Sequence, residues 1–252
     1  MIDPTQTLVT IGTTIATTLA AKGIEAPGKT LGQIWDIAIG NRIAAVYEKS
    51  KAKHNLNVED FKSKLINNVS SIPKENIQDP KVSIIGPALE ASKYYFDEEE
   101  IRDMFANLIA SSMDSSYNGL VQHSFVEIIK QLSPHDAKLF KSFASTEAFV
   151  SLVKINSEGH SNTCTDKLYI NSDFSNYHIN EISMDNLIRL GLIETNDDLY
   201  LTDDSLYNHY SKIAPVYTPL KAPRNSIVCI KKFFKITSLG KAFKKVSIKD
   251  SL

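Results

Sequence analysis

The sequence predicts a mainly α fold, with a helical part over residues 1–145 and an α+β part over residues 146–252. Two observations carry this. Between 97 and 143, apolar residues recur at helical spacing in three short-linked segments. From 149 onward, short β-branched and aromatic runs alternate with polar turns.

The stretch 97–143 is the centre of the reading. Ile101, Met104, Phe105, Leu108, Ile109 and Met113 share one helical face. Asp97 is placed to cap that helix, with Glu100 as its capping-box partner. Phe125, Ile128, Ile129 and Leu132 repeat the pattern in a second helix. Ser133 and Pro134 then mark the start of a third, with Asp136 in its first turn. Such helices must bury their apolar faces against one another.

Upstream, residues 5–21 read as a helix and Lys22–Lys29 as a loop. Leu31–Ser50 reads as a helix anchored by Trp35. Val58–Val69 reads as another, capped by Asn57. Residues 73–80 connect it to a helix that Pro87 starts and that runs to about Phe96. Downstream, 149–156 and 167–171 read as strands separated by the polar turn 159–166. A helix follows over 182–190, then a strand–turn–strand over 190–202, with 207–217 open to either reading. A strand over 226–237 and a helix over 238–246 complete the chain. The order of a helix, Leu190-Gly191-Leu192-Ile193, and a strand running into Ile236-Thr237-Ser238-Leu239-Gly240 has the character of a winged helix. Gly191–Glu194 is then expected to pair with Phe233–Thr237.

Composition and charge bound the function. A hydrophobic fraction of 42% and a charged fraction of 23% suit a globular protein. Two cysteines, Cys164 and Cys229, are too few for a disulfide scaffold and suit a reducing compartment, so the cytoplasm is expected. Residues 205–252 hold ten basic residues and one acid, a net charge of +9; the remaining 204 residues hold 18 basic and 28 acidic, or −10. Such a split points to a basic surface that meets an anion, or to attraction between the two parts. Lys231, Lys232, Lys235, Lys241, Lys244 and Lys245, with Arg189, are the candidate anion- or nucleic-acid-binding residues. Residues 4–21 carry no charge but include seven threonines, too polar for a committed membrane span. Membrane contact through residues 4–47 is therefore the minor alternative.

Motifs for catalysis, metal and cofactor are lacking in force. Gly23-Ile-Glu-Ala-Pro-Gly28-Lys29-Thr30 matches the phosphate-loop pattern. Yet Pro27 has no N–H to aim at a phosphate, and no convincing strand precedes it. The histidines and cysteines lack metal-ligand spacing. His123 and Glu127 are one helical turn apart, with no nucleophile beside them. No enzyme activity, cofactor or metal is expected, and the oligomeric state is left open.

Several segments resemble one family. These are residues 101–114 (IRDMFANLIASSMD) and 124–140 (SFVEIIKQLSPHDAKLF), with 81–95 (KVSIIGPALEASKYY), 236–243 (ITSLGKAF) and 28–32 (GKTLG). They are similar to the Abi-alpha (abortive infection alpha) family of bacterial proteins. The resemblance implies a role in phage defence and supplies no catalytic motif. His123 stands where the family has proline, which removes the basis for a functional role there. The expected activity is non-enzymatic binding, with a protein as partner. A nucleic-acid-binding regulator and a membrane-acting effector are the alternatives.

Overall fold

The computed structural model describes residues 4–39, 51–155, 161–196, 198–213 and 227–249. The chain forms two compact units. One is Met1–Pro134 together with Ala242–Ser251, and the other is His135–Lys241. The boundary expected from the sequence is 145/146, and the units meet in the chain at 134/135, at the start of a helix.

The first unit is helical. Its elements are α1 (Pro4–Ala21), α2 (Glu25–Ala38), α3 (Lys51–Ser70), α4 (Val82–Ser92), α5 (Glu99–Ser112) and α6 (Ser124–Lys130). Trp35, Phe61 and Phe96 form a continuous aromatic column, with ring centroids 5.6 and 5.3 Å apart. Ile101, Phe105, Leu108 and Ile109 of α5 are fully buried, as the periodicity requires. The chain returns to this unit at its end: Phe243 packs edge-on against Phe125 at 5.3 Å, and Val246 is fully buried.

Several boundaries differ from the sequence reading. The loop expected over 22–29 shrinks to a turn at Lys22–Ile24, with Gly23 at φ +82°, and α2 begins at Glu25. Pro27 fits there because a helix's first-turn N–H groups have no intrahelical acceptor to lose. Gly28 and Gly32 then lie buried on the face that meets α1. A Cβ on Gly32 meets the Gly12 carbonyl oxygen at 2.4 Å, a backbone atom that cannot swing aside. The phosphate-loop match is therefore a helical stripe where two helices approach closely. Gly32→Ala is expected to destabilise the protein by about 1–3 kcal/mol. Gly86→Ala, in α4 with open space around its Cβ, is expected to gain up to about 1 kcal/mol. Thermal melts of the two variants check this contrast.

Residues 40–50 of the helix expected over 31–50 lie outside the described residues. Asn57 is internal to α3 and does not cap it. Its side chain donates to Asp97 at 2.7 Å. Asp97 in turn does not cap α5, whose N-cap is Glu98 with no side-chain cap bond. Pro87 lies inside α4 and does not start it, and it is exposed.

The second unit carries α7 (Pro134–Ser142) from its second residue, β1 (Thr146–Ile155), β2 (Ser161–Leu168), α8 (Tyr177–Arg189), β3 (Ile193–Thr195), α9 (Asn208–Ile213), β4 (Ile227–Ile236) and α10 (Ser238–Phe243) up to Lys241. The four strands form one antiparallel sheet in the order β2-β1-β4-β3. One face packs Ala148, Val150, Leu152, Leu168 and Ile170 under Tyr207 and Tyr210. The other gathers Phe143, Phe149, Tyr169 and Phe234, with Phe143 and Phe234 only 4.4 Å apart.

The polar stretch 159–166, expected as a turn, supplies most of β2 from residue 161. It lies at the sheet edge, where polar residues are tolerated because only one side is paired. The second strand expected before 202 does not form; after β3 a 3-10 turn at Asp204–Tyr207 leads into α9. The pairing of β3 with β4 runs Ile193↔Ile236, Glu194↔Lys235 and Thr195↔Phe234. Local chemistry fixes this corner. Gly191 takes φ +70°, and Leu192 N donates back to Leu187 O, closing α8 with a left-handed cap. Thr237 Oγ1 donates to Gly191 O at 2.6 Å and accepts from Gly240 N at 2.9 Å, capping α10.

Candidate functional site in strand β4 and a polar seam in the helical unit

β4 places Lys231, Lys232 and Lys235 on one strand, and each meets a carboxylate of its own unit. Lys231 Nζ lies 2.5 Å from Asp204 Oδ1, and 5.4 and 5.9 Å from the ring centroids of Tyr207 and Tyr200. The Asp204 carboxylate raises the affinity of this ammonium for its proton. Lys235 reaches Glu194 at 3.0 Å across the β3–β4 pair, with both side chains half exposed. Such exposed pairs contribute at most about 1 kcal/mol.

Lys232 belongs to a larger network. Its Nζ is 3.3 Å from Asp166, which also holds Lys167 at 2.7 Å. Lys167 in turn reaches Asp185 of α8 at 2.9 Å, while the N–H groups of Asp166 and Lys167 donate to Glu181. Hydrogen bonding from Lys167, then the charges of Lys167 and Lys232, hold the Asp166 carboxyl below its usual range. This network clips α8 to the sheet.

The other candidate residues are placed elsewhere. Arg189, at the end of α8, is exposed and donates to Asn186 at 2.7 Å. Lys241 is exposed in α10. Lys244 is 4% exposed, and Lys245 lies 5.9 Å from the Tyr117 ring; both belong to the terminal segment of the first unit. β4 therefore brings together three of the seven residues, and the rest are divided between the units.

The acid–base pairing of His123 with Glu127 weighed in the sequence is not the one these side chains make. His123 Nε2 sits 3.0 Å from Ser83 Oγ, and Glu127 is engaged by Lys130 at 2.8 Å. His160 lies outside the described residues. Among the described residues no three His, Cys, Asp or Glu side chains are grouped to hold a metal ion, and no helix is long and apolar enough to cross a membrane.

Among the described residues, an extensive polar feature lies where the sequence reading expected none. Along the α3–α5 seam, Asn57 meets Asp97, Asp60 meets Arg102 at 2.7 Å, Lys64 meets Asp103 at 2.6 Å, and Asn68 meets Asn107 at 2.8 Å. The seam continues onto the chain terminus. Asn107 donates to Ser247 O and Ser111 to Val246 O, each at 2.9 Å. Burial pushes the Asp103 carboxyl up, against the attraction of Lys64. The signal was present, since positions 60, 64 and 68 and positions 103, 107 and 111 repeat at four-residue spacing on the helices. Each carboxylate of the seam is held by a cation or an amide, and together these contacts tie α3 to α5.

A model of the family described as abortive infection alpha matches residues 53–247, which span both units. No curated protein and no solved structure matches the chain.

Proposed function

The chain belongs to the abortive infection alpha family, and from that premise we propose that it serves bacterial phage defence as a cytoplasmic, non-enzymatic component that binds another protein. The observation that carries this reading is the pairing of Lys231, Lys232 and Lys235 with Asp204, Asp166 and Glu194. Lysines held by the unit's own carboxylates offer little net charge to a phosphate backbone, whose binding depends on neutralising phosphates. The same region exposes Leu199, Tyr200 and Leu206, side chains that suit a protein contact. The helix α8, the Gly191 corner and the β3–β4 pair are winged-helix-like in order, and we read them as a protein-interaction module of that kind.

Expression of the chain in a phage-sensitive bacterium is expected to lower plating efficiency for at least one phage of a panel, with infected cells dying before progeny release. The purified protein is expected to show a protein-like ratio of absorbance at 260 and 280 nm at low salt, and no flotation with anionic liposomes. A high ratio that collapses in a high-salt wash replaces this reading with the nucleic-acid one. Flotation that requires residues 1–50 replaces it with the membrane one.

A further inference from the structure

We propose that the chain self-associates through the edge of β4, pairing residues 227–233 antiparallel with the same residues of a second copy. β4 is ten residues long and pairs with β1 along Lys154↔Ile227 to Thr146↔Lys235 without a register shift. On its other side β3 reaches only Phe234, Lys235 and Ile236. Among the described residues, no strand or loop backbone pairs with that side of Ile227–Phe233.

The direction of the backbone groups follows from two bonds. Ile236 N donates to Ser145 O on the β1 side, and Thr237 N donates to Leu192 O on the β3 side. N–H and C=O groups alternate sides along a strand. Even-numbered residues of β4 therefore face β1, and Ile227, Cys229, Lys231 and Phe233 turn their N–H and C=O groups to the open edge. An open edge of this length is a template for another strand.

The side chains select the occupant. Val228 and Ile230 are β-branched yet 42% and 43% exposed. Lysines commonly guard such an edge, but here Lys231 is drawn to Asp204 and Lys232 to Asp166. An acidic strand therefore has little charge to answer, and the edge suits a β-branched mate whose own lysines are already paired with carboxylates. A second copy supplies one. With a two-fold axis at Ile230, Ile227 faces Phe233, Val228 faces Lys232, Cys229 faces Lys231, and Ile230 faces itself. This register uses the whole open edge and sets no two lysines directly opposite. Centring one residue later brings Lys231 against Lys231. Centring one residue earlier shortens the pairing to 227–231.

In this register the two Ile230 residues form a non-hydrogen-bonded pair, whose Cα atoms lie about 4.5 Å apart, close enough for a disulfide. The test uses the full chain with Cys164→Ser and Cys229→Ser. Under a mild oxidant Ile230→Cys is expected to give a covalent dimer on a non-reducing gel, reversed by dithiothreitol, and Val228→Cys is expected to give little. Sedimentation velocity of the unmodified chain is expected to show a concentration-dependent dimer, and Ile230→Lys to weaken it by at least about tenfold with unchanged circular dichroism. If that variant misfolds, the crosslinking contrast decides alone. A chain that stays monomeric up to about 100 μM, far above the micromolar affinity expected of a specific contact, overturns the proposal. So does equal crosslinking of the two cysteine variants. Plating efficiency plays no part in either readout, so failure here is distinct from failure of the proposed function.

Discussion

Phe234→Ala is expected to be the most damaging single truncation in the second unit, at about 3–5 kcal/mol. Phe234 is fully buried near the C-terminal end of β4, where β1 and β3 flank it, and its ring lies 4.4 Å from Phe143, 5.5 Å from Tyr169 and 6.3 Å from Phe149. The loss combines burial of a large side chain, the edge and tilted ring contacts, and the cavity left among side chains that cannot collapse. Tyr169 adds to the cost because its hydroxyl is committed to Glu147 and accepts from Asn171 at 3.1 Å, so its ring is not free to move in. Denaturation followed by hydrogen exchange is expected to show early loss of protection in β1 and β4 with α3 and α5 retained. Two compact units do not guarantee one transition, so a single-probe melt is the weaker measurement. A loss under 1 kcal/mol is incompatible with a rigid aromatic cluster at this site.

The largest polar effect is expected for Arg102→Ala, at about 2–4 kcal/mol. Arg102 is 6% exposed, donates to Phe96 O, and reaches Asp60 at 2.7 Å. Removing it leaves a carbonyl of the α4–α5 connection without this donor and takes one of two cations from Asp60. The other is Lys64, at 3.1 Å. Arg102→Lys is expected to rescue little, because one ammonium cannot span both acceptors as the planar fork does.

The effect also carries a pH signature. Burial works to raise the Asp60 carboxyl, but hydrogen bonding and charge from Lys64, then Arg102, outweigh it and leave the group below its ordinary 3.8. A carboxyl depressed by folding adds stability that is present above its unfolded value and is lost as pH falls through the folded one. The gap between the native protein and Arg102→Ala is therefore expected to be widest near neutrality and to narrow below about pH 4, the region of an unperturbed aspartate. Urea midpoints measured from pH 7 to pH 3 check this, and a constant gap across the range assigns the whole effect to Phe96 O and packing.

The sequence by itself determined the apolar helices of the first unit and the strands β1 and β4, because burial leaves a periodic mark that needs no partner to be read. Ile101, Phe105 and Ile109 predict their own inward face, and Gly191 and Thr237 carry the chemistry of their corner. The segments that identify the family are of this kind, mainly apolar helix positions. Tertiary structure decided where polar residues go. Asn57 and Asp97 each have the local sequence of a helix cap, and a contact between residues forty positions apart takes both. Lys231, Lys232 and Lys235 look like a free basic strand, and acids from β3, β2 and the turn before α9 engage them. A hydrophobic side chain needs only to leave water, which any interior satisfies. A charge or an amide needs a particular partner at about 3 Å, and only the folded chain selects which one.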